Sequence, residues 1–254
     1  MHILDMSCIN PFSLEGKTIL VTGASSGIGK SVAISCSQMG ATVILVGRNE
    51  DRLNETFQNL EGSGHSKFLC DLTDDDALRQ MVAEMPVLNG IVHCAGIGFR
   101  TPAKLLTKQA VDKVMDANFK APVLLQGSLL QKRKVDKGAS IVFITSIATW
   151  SPSSGNSIYS ASKGALLSYA KCLSLELAPR NIRVNCISPA MVRTNFITGI
   201  GISEEQFRED EGRYPLKRYG TPEDIAYLTI YLLSDASSWM TGSDVEISGG
   251  GRLS

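Results

Sequence analysis

The sequence predicts a doubly wound α/β fold, a single parallel sheet of about seven strands with helices on both faces. Three observations predict it. Short β-branched runs recur along the chain, stretches with helical spacing lie between most of them, and no Pro/Gly/Ser linker divides the pattern. Strands alternating with helices build right-handed βαβ units, so residues 1–254 read as one domain with an N-terminal extension over 1–13.

The strand-like runs are Thr18–Val21, Thr42–Val46, Lys67–Cys70, Gly90–His93, Ser140–Thr145, Arg183–Ile187 and Asp244–Ile247. Among the helices, Gly27–Met39 carries Ile28, Val32 and Ala33 at helical spacing, and Gly40 follows as a stop. A second, Ser160–Leu177, has an apolar stripe through Ala161, Ala165, Leu166, Tyr169, Leu173 and Leu177, and Pro179 ends it. Residues 191–215 stand apart. Gly199 and Gly201 interrupt them and Glu204 to Arg213 is rich in charge, which predicts a mobile lid.

Composition narrows the class of partner. The 25 basic residues balance 25 acidic ones, so no net field favours nucleic acid or an anionic membrane surface. The longest apolar runs, such as Thr42 to Val46, are strand-sized and far short of a membrane span, and the first 16 residues do not read as a signal peptide. Six cysteines show no CxxC pair and no metal-ligand spacing, so no metal is expected. They read as reduced core thiols of a cytoplasmic protein.

The first strand runs into Thr22-Gly23-Ala24-Ser25-Ser26-Gly27-Ile28-Gly29 and then a helix. Gly23 permits a tight turn, Gly27 lets the backbone approach a pyrophosphate, and Gly29 allows the helix to pack closely on the sheet. The helix offers its unpaired N–H groups and positive dipole end to the phosphates. After a strand and before a helix, in the first βαβ unit, the triplet reads as a Rossmann-type dinucleotide site rather than a mere glycine-rich turn. The second strand ends in Gly47-Arg48-Asn49, with no acid to bind a ribose 2′-hydroxyl and an arginine able to take a 2′-phosphate, so NADP(H) is expected over NAD(H). Asp71-Leu72 ends the third strand, where Asp71 either accepts from the adenine amino group or caps the helix that starts near Asp74, or does both.

The fifth strand ends at Ser146, and thirteen residues later comes Tyr159-Ser160-Ala161-Ser162-Lys163. Tyr and Lys at i and i+4 lie one turn apart on one helix face. An ammonium near a phenol favours phenolate, which would lower the Tyr159 pKa towards neutrality. Such a tyrosine can exchange a proton with a substrate oxygen while a nicotinamide exchanges a hydride with carbon, and Ser146 can hydrogen-bond that oxygen. Taken singly, Tyr159 is equally a rim residue, Lys163 a solvated charge and Ser146 a turn residue.

With TGASSGIG at 22–29, Asp71, Asn118, Ser146, YSASK at 159–163 and Ser188-Pro189 to Thr194 in that order and spacing, the chain resembles the short-chain dehydrogenase/reductase family from about Leu14 to Gly250. It is most similar to members acting on small alcohols, ketones and 3-oxoacyl thioesters. The resemblance implies Tyr159 as general acid or base and Ser146 as polariser of the substrate oxygen. It implies Lys163 on the nicotinamide ribose hydroxyls, and Asn118 holding a water that connects Lys163 to solvent. Pro189, Val192 and Thr194 would contact the carboxamide and pyrophosphate, and Cys94, Ala95 and Gly96 would lie beside the adenosine ribose, with Ser25, Ser26, Ile28, Arg48, Asn49 and Leu72 completing the cofactor contacts. Homotetramers pairing the helices Asp112–Arg133 and Ser160–Leu177 and the strand region 244–250 are the family's common assembly.

Two departures stand out. His93-Cys94-Ala95-Gly96 replaces the family's usual Asn-Asn-Ala-Gly, so Cys94 would tie neighbouring strands poorly, while His93 reads as a packed core histidine. The short interval between Asp71 and Gly90 implies a trimmed helix. The substrate is left open among 3-oxoacyl thioesters, keto-sugars and other small ketones. A non-catalytic NADP(H) sensor is the reading from another class, against which the paired Tyr159 and Lys163 argue. Specificity is expected from 191–215, Gly98 to Lys104 and Ala148 to Ser157. There Trp150, Phe99, Phe196 and Phe207 suggest a partly apolar pocket or lid packing, and Arg100 and Arg193 are candidates to meet an anionic carrier or phosphopantetheine.

Overall fold

The computed structural model of the chain describes residues 10–194 and 204–251. Its strands are β1 (Thr18–Thr22), β2 (Thr42–Gly47), β3 (Ser66–Leu69), β4 (Leu88–His93), β5 (Val135–Ile144), β6 (Arg183–Pro189) and β7 (Asp244–Ile247). They form one parallel sheet in the order β3-β2-β1-β4-β5-β6-β7. The order reverses at β1, where Thr22 lies opposite Val46 of β2 and His93 of β4. In an open parallel sheet that reversal leaves a crevice outside the carboxyl ends of the strands.

Around the sheet run α1 (Gly27–Gln38), α2 (Glu50–Gln58), α3 (Asp75–Glu84), α4 (Lys108–Met115), α5 (Ala121–Gln131), α6 (Ser157–Leu177), α7 (Glu204–Arg213) and α8 (Pro222–Leu233). One face of the sheet is covered by Leu78, Met81, Leu125, Leu129, Leu166, Ala170 and Leu173 from α3, α5 and α6. The other is covered by Val32, Ala33, Leu53, Ile225 and Ile230 from α1, α2 and α8. Strands β1 and β2 are buried along almost their whole length, as burial on both faces requires.

Three boundaries differ from the sequence expectation. Strand β5 begins at Val135, five residues early, where a register irregularity against β4 admits a polar stretch that carries no strand pattern. Helix α6 begins at Ser157, with the Ser160 N–H donating to the Asn156 carbonyl, so Tyr159 lies in its first turn. The expected helix Asp112–Arg133 is helical from Lys108 to Gln131, but not α-helical throughout. Between α4 and α5, residues Asp116–Lys120 form a single π-turn. Pro122 lacks the N–H that a continuous α-helix would need, and Asn118 projects from the widened turn into the interior. The charge-rich segment expected to be part of a lid forms the helix α7, while Phe196, Gly199 and Gly201 lie outside the described residues.

Candidate active site

The glycine turn is built by close packing. Gly23 has φ +66°, and a Cβ there would meet the Ala95 backbone at 2.9 Å; a Cβ at Gly29 would meet the Gly23 carbonyl oxygen at 2.3 Å. Helix α1 therefore starts pressed against the end of β1, and only glycine fits. At Gly27, φ is +53° and a Cβ would lie 3.1 Å from Thr194 Cγ2, which brings the segment after β6 against the turn after β1. Helix α1 has no acid in its first turn and no side-chain cap, whereas α2, α3, α4 and α8 are capped by Asn49, Asp74, Thr107 and Thr221. Its first N–H groups, at the carboxyl end of β1, have no side-chain cap, a setting that favours an anion.

Beside β1, the turn after β4 is held by Thr22, whose Oγ1 accepts from the N–H groups of Cys94 and Ala95, each at 3.1 Å. This threonine supplies a tie that the Cys94 side chain would make poorly. His93 is buried, stacks on Phe143 with ring centroids 4.5 Å apart, and meets Gln126 Oε1 at 3.1 Å. Burial pushes its imidazole down to about 4, against the Gln126 contact. It is a neutral core residue.

Beyond β2 and β3, Arg48 Nη1 lies 3.5 Å from Asp71 Oδ2, both side chains largely in solvent. Burial pushes the Asp71 carboxyl up, but the Thr73 N–H and hydroxyl and the Arg48 guanidinium together hold it below the usual carboxylate range. Asp74, not Asp71, caps α3, accepting from Asp76 and Ala77 N–H at 3.0 Å. Asn49 accepts from Arg52 N–H and caps α2, and Leu72 is buried in the core.

The second cluster forms where β5, α6 and the π-turn converge. Ser146 follows β5, accepts from Ala148 N–H at 3.1 Å, and hydrogen-bonds with Tyr159. One turn on, Lys163 is buried; its Nζ donates to the Ile144 carbonyl at 2.8 Å and lies 6.0 Å from the Tyr159 ring centroid. The Asn118 Oδ1 accepts from Ile97 N–H at 2.7 Å, and its Nδ2 donates to the Ile97 carbonyl at 3.0 Å and to Ser162 Oγ at 3.1 Å. A Cβ at Gly96 would touch Asn118 Oδ1 at 3.1 Å and lie 3.5 Å from Lys163 Nζ. The sequence-named Asn118, Ser146, Tyr159, Lys163 and Gly96 thus share one corner. Thr22 and Ser162 belong to the same frame; both lie inside the sequence motifs, but no spacing or residue type there marks them out from their neighbours.

The electrostatics correct one expectation. Burial holds the Tyr159 phenol above its ordinary value, opposed by the hydrogen bond with Ser146, rather than lowering it towards neutrality. Burial also pushes the Lys163 ammonium down to about 8, against smaller contributions from Cys94 and Cys186. The two side chains are near neighbours, but in this state the lysine's hydrogen bond goes to Ile144 and desolvation dominates both groups. Arg193 is ion-paired: its Nε and Nη2 donate to the two oxygens of Glu211 at 2.7 and 2.8 Å, which ties the segment after β6 to α7. Phe207 is buried edge-on against Tyr219, joining α7 to the segment before α8.

Residues 23–251 match a family model described as Enoyl-(Acyl carrier protein) reductase. The human protein named Dehydrogenase/reductase SDR family member 4 is 34% identical over 244 residues, covering 93% of this chain and 88% of that protein. The chain belongs to the short-chain dehydrogenase/reductase family. A fellow member, the Rickettsia felis 3-oxoacyl-[acyl-carrier-protein] reductase FabG, is 33% identical and covers 93% of this chain and 97% of that one. Among solved structures of the family, a Sinorhizobium meliloti dehydrogenase/reductase superposes with TM-score 0.87 at 32% identity, covering 96% of this chain and 98% of the other. A Beutenbergia cavernae protein assigned as an NAD(P)-dependent gluconate 5-dehydrogenase, with NADP bound at low occupancy, gives TM-score 0.85 at 30% identity over 96% of this chain and all of the other. As a short-chain dehydrogenase/reductase, the protein is an oxidoreductase. No helix among the described residues is long and apolar enough to cross a membrane.

Proposed function

We propose that the protein transfers a hydride between NADP(H) and a carbonyl or secondary alcohol, with Ser146, Tyr159, Lys163 and Asn118 as its catalytic set. The observation that carries this reading is the Ser146–Tyr159 hydrogen bond with Lys163 buried one turn away, beside the mouth of the glycine-lined crevice. When bound, the nicotinamide supplies or accepts the hydride. In reduction, Ser146 Oγ hydrogen-bonds the carbonyl oxygen and Tyr159 gives that oxygen its phenolic proton; in oxidation the tyrosine takes the proton back. Burial keeps Tyr159 protonated at neutral pH, which suits the reducing direction. The Lys163 ammonium stabilises the phenolate that remains, and Asn118 holds the π-turn and Ile97 in place behind it.

The cofactor contacts we assign are Gly23, Ser25, Ser26, Gly27, Ile28 and Gly29 along the pyrophosphate, and Cys94, Ala95 and Gly96 at the ribose. Asp71 and Leu72 lie at the adenine, and Pro189, Val192 and Thr194 at the nicotinamide end. Arg48, with Asn49 beside it, takes the 2′-phosphate. Position 47 supports NADP(H) further: a Cβ there would meet Leu53 Cδ1 at 3.1 Å and Ser25 Cβ at 3.3 Å, which disfavours a carboxylate side chain at the place an NAD-type acid needs. NADP on the Beutenbergia cavernae relative agrees. Purified protein should oxidise NADPH with a panel of 3-oxoacyl thioesters, keto-sugars and simple ketones, and an R48A variant should lose roughly 10–100-fold in NADP(H) affinity but only a few-fold in NAD(H) affinity. Equal losses would overturn the preference.

The Rickettsia relatives favour a 3-oxoacyl thioester as substrate, and the gluconate 5-dehydrogenase assignment favours a keto-sugar acid. Unpaired cysteines at 36, 70, 94, 172 and 186 fit a cytoplasmic setting. Exposed Leu124 on α5, Leu175 on α6 and Trp239 before β7 fit the expected homotetramer, whose mass light scattering would give.

A further inference from the structure

Among the described residues, Arg48, Arg100 and Arg193 stand on the loops that follow β2, β4 and β6, Arg218 lies two residues before Gly220, which bridges to Val192, and all but Arg100 are ion-paired. Arg48 pairs with Asp71, Arg193 with Glu211 and Arg218 with Asp224. Arg100 has no ion pair among the described residues. It is nonetheless held in position. Its Nε donates to the Ser154 carbonyl at 3.3 Å, and Thr101 N–H donates to the Gly155 carbonyl at 2.8 Å, stitching the loop after β4 to the loop before α6. Gly155 has φ +80°, and a Cβ there would press on Arg100 Cγ at 3.2 Å, so the arginine stem lies in a notch that glycine leaves open. These two loops continue directly from Ile97, which Asn118 holds, and into the first turn of α6, which carries Tyr159.

From this juxtaposition we infer that Arg100 is a specificity-determining residue, recognising an anionic group, carboxylate or phosphate, carried on the carbonyl substrate. The inference rests on the oxidoreductase reading above and names the substrate class for the same site. With Nε fixed on Ser154, the terminal nitrogens of a planar guanidinium remain for a two-pronged contact with an oxyanion, a geometry that lysine cannot reproduce. Exposure sets the size of the effect. A solvent-exposed ion pair is worth a few-fold and a buried charge-assisted bond up to a hundredfold, so a rim arginine partly covered by bound substrate should give roughly tenfold.

The test compares kcat/KM within matched pairs, with NADPH as reductant. One pair is 4-oxopentanoate and its methyl ester. The other is 3-oxobutyryl 4′-phosphopantetheine thioester and the same thioester of pantetheine, which lacks only the phosphate. The first pair reports a carboxylate source and the second a phosphate source. The wild type should prefer the anion in at least one pair by roughly tenfold, the preference should shrink at high salt, and R100A should bring the ratio near one. R100Q and an NADPH-binding titration guard against a folding defect, and R100K should keep only part of the preference. Ratios near one in both pairs for the wild type, or ratios unmoved in R100A, would overturn the inference while carbonyl reduction stands. Failure of the wild type to oxidise NADPH with any carbonyl would instead overturn the reading beneath it, and the inference with it.

Discussion

Lys163 is the residue on which the corner turns, and its burial has a thermodynamic signature. Its ammonium sits at about 8 in the fold against 10.5 in the open chain, so between those values the unfolded state binds more protons. The burial cost is fully present below about pH 8 and is relieved as pH rises towards 10.5. Replacing it by methionine should therefore make the cofactor-free protein more stable at pH 7 by about 1–2 kcal/mol, after allowance for the lost Ile144 bond, with the gap closing by pH 10. Urea unfolding at the two pH values measures this, and a K163M protein weaker at pH 7 would contradict it. The sequence showed which residues meet here, because i,i+4 spacing and a strand end place Tyr159, Lys163 and Ser146 by geometry alone. It could not show the sign of the Tyr159 shift, which depends on how deeply both groups are buried and on the Ile144 carbonyl that Lys163 reaches. Nor could it show that Glu211 had claimed Arg193.

At the scale of the element, strands were legible because their apolar runs are continuous, and α6 was legible because its stripe is long. The π-turn between α4 and α5 was not, although Pro122 lies just after it: an apolar pattern carries through a π-turn, and the Asn118–Ile97 hydrogen bond that accompanies it spans distant parts of the chain. Close approach also separates glycines that look alike in sequence. Gly29→Ala must push its methyl into the Gly23 carbonyl, so it should cost about 2 kcal/mol or more and weaken NADP(H) binding. Gly127→Ala, inside α5 with nothing within 4 Å of the added carbon, should stabilise by about 0.5–1 kcal/mol through helix propensity. Thermal melts of the two variants should move in opposite directions.

Over the whole molecule, the buried His93 makes stability depend on acid. Its imidazole lies at about 4 in the fold and 6.5 in the open chain, so unfolding takes up a proton between those values and stability falls as pH drops through that window. The loss amounts to a few kcal/mol at most, on the order of 3. His93→Asn, the residue the family usually carries there, should flatten stability between pH 6.5 and 4 in urea titrations. An unchanged slope would place the acid sensitivity elsewhere. The sheet itself was legible as a whole, since alternation of strand and helix with a glycine turn at β1 leaves few other topologies. The carboxyl ends of β1, β4, β5 and β6 then bring the glycine turn, Gly96, Ser146 and Thr194 into one crevice.

The proposed chemistry requires a phenol to pass its proton to a substrate oxygen beside the nicotinamide, and the most direct measurement is the Y159F variant taken through both binding and turnover. NADPH should bind Y159F within a few-fold of wild type, while carbonyl reduction should fall by about 10²–10⁴. Turnover that survives the substitution would show that the proton comes from another group, and the chemistry assigned to this corner would be wrong.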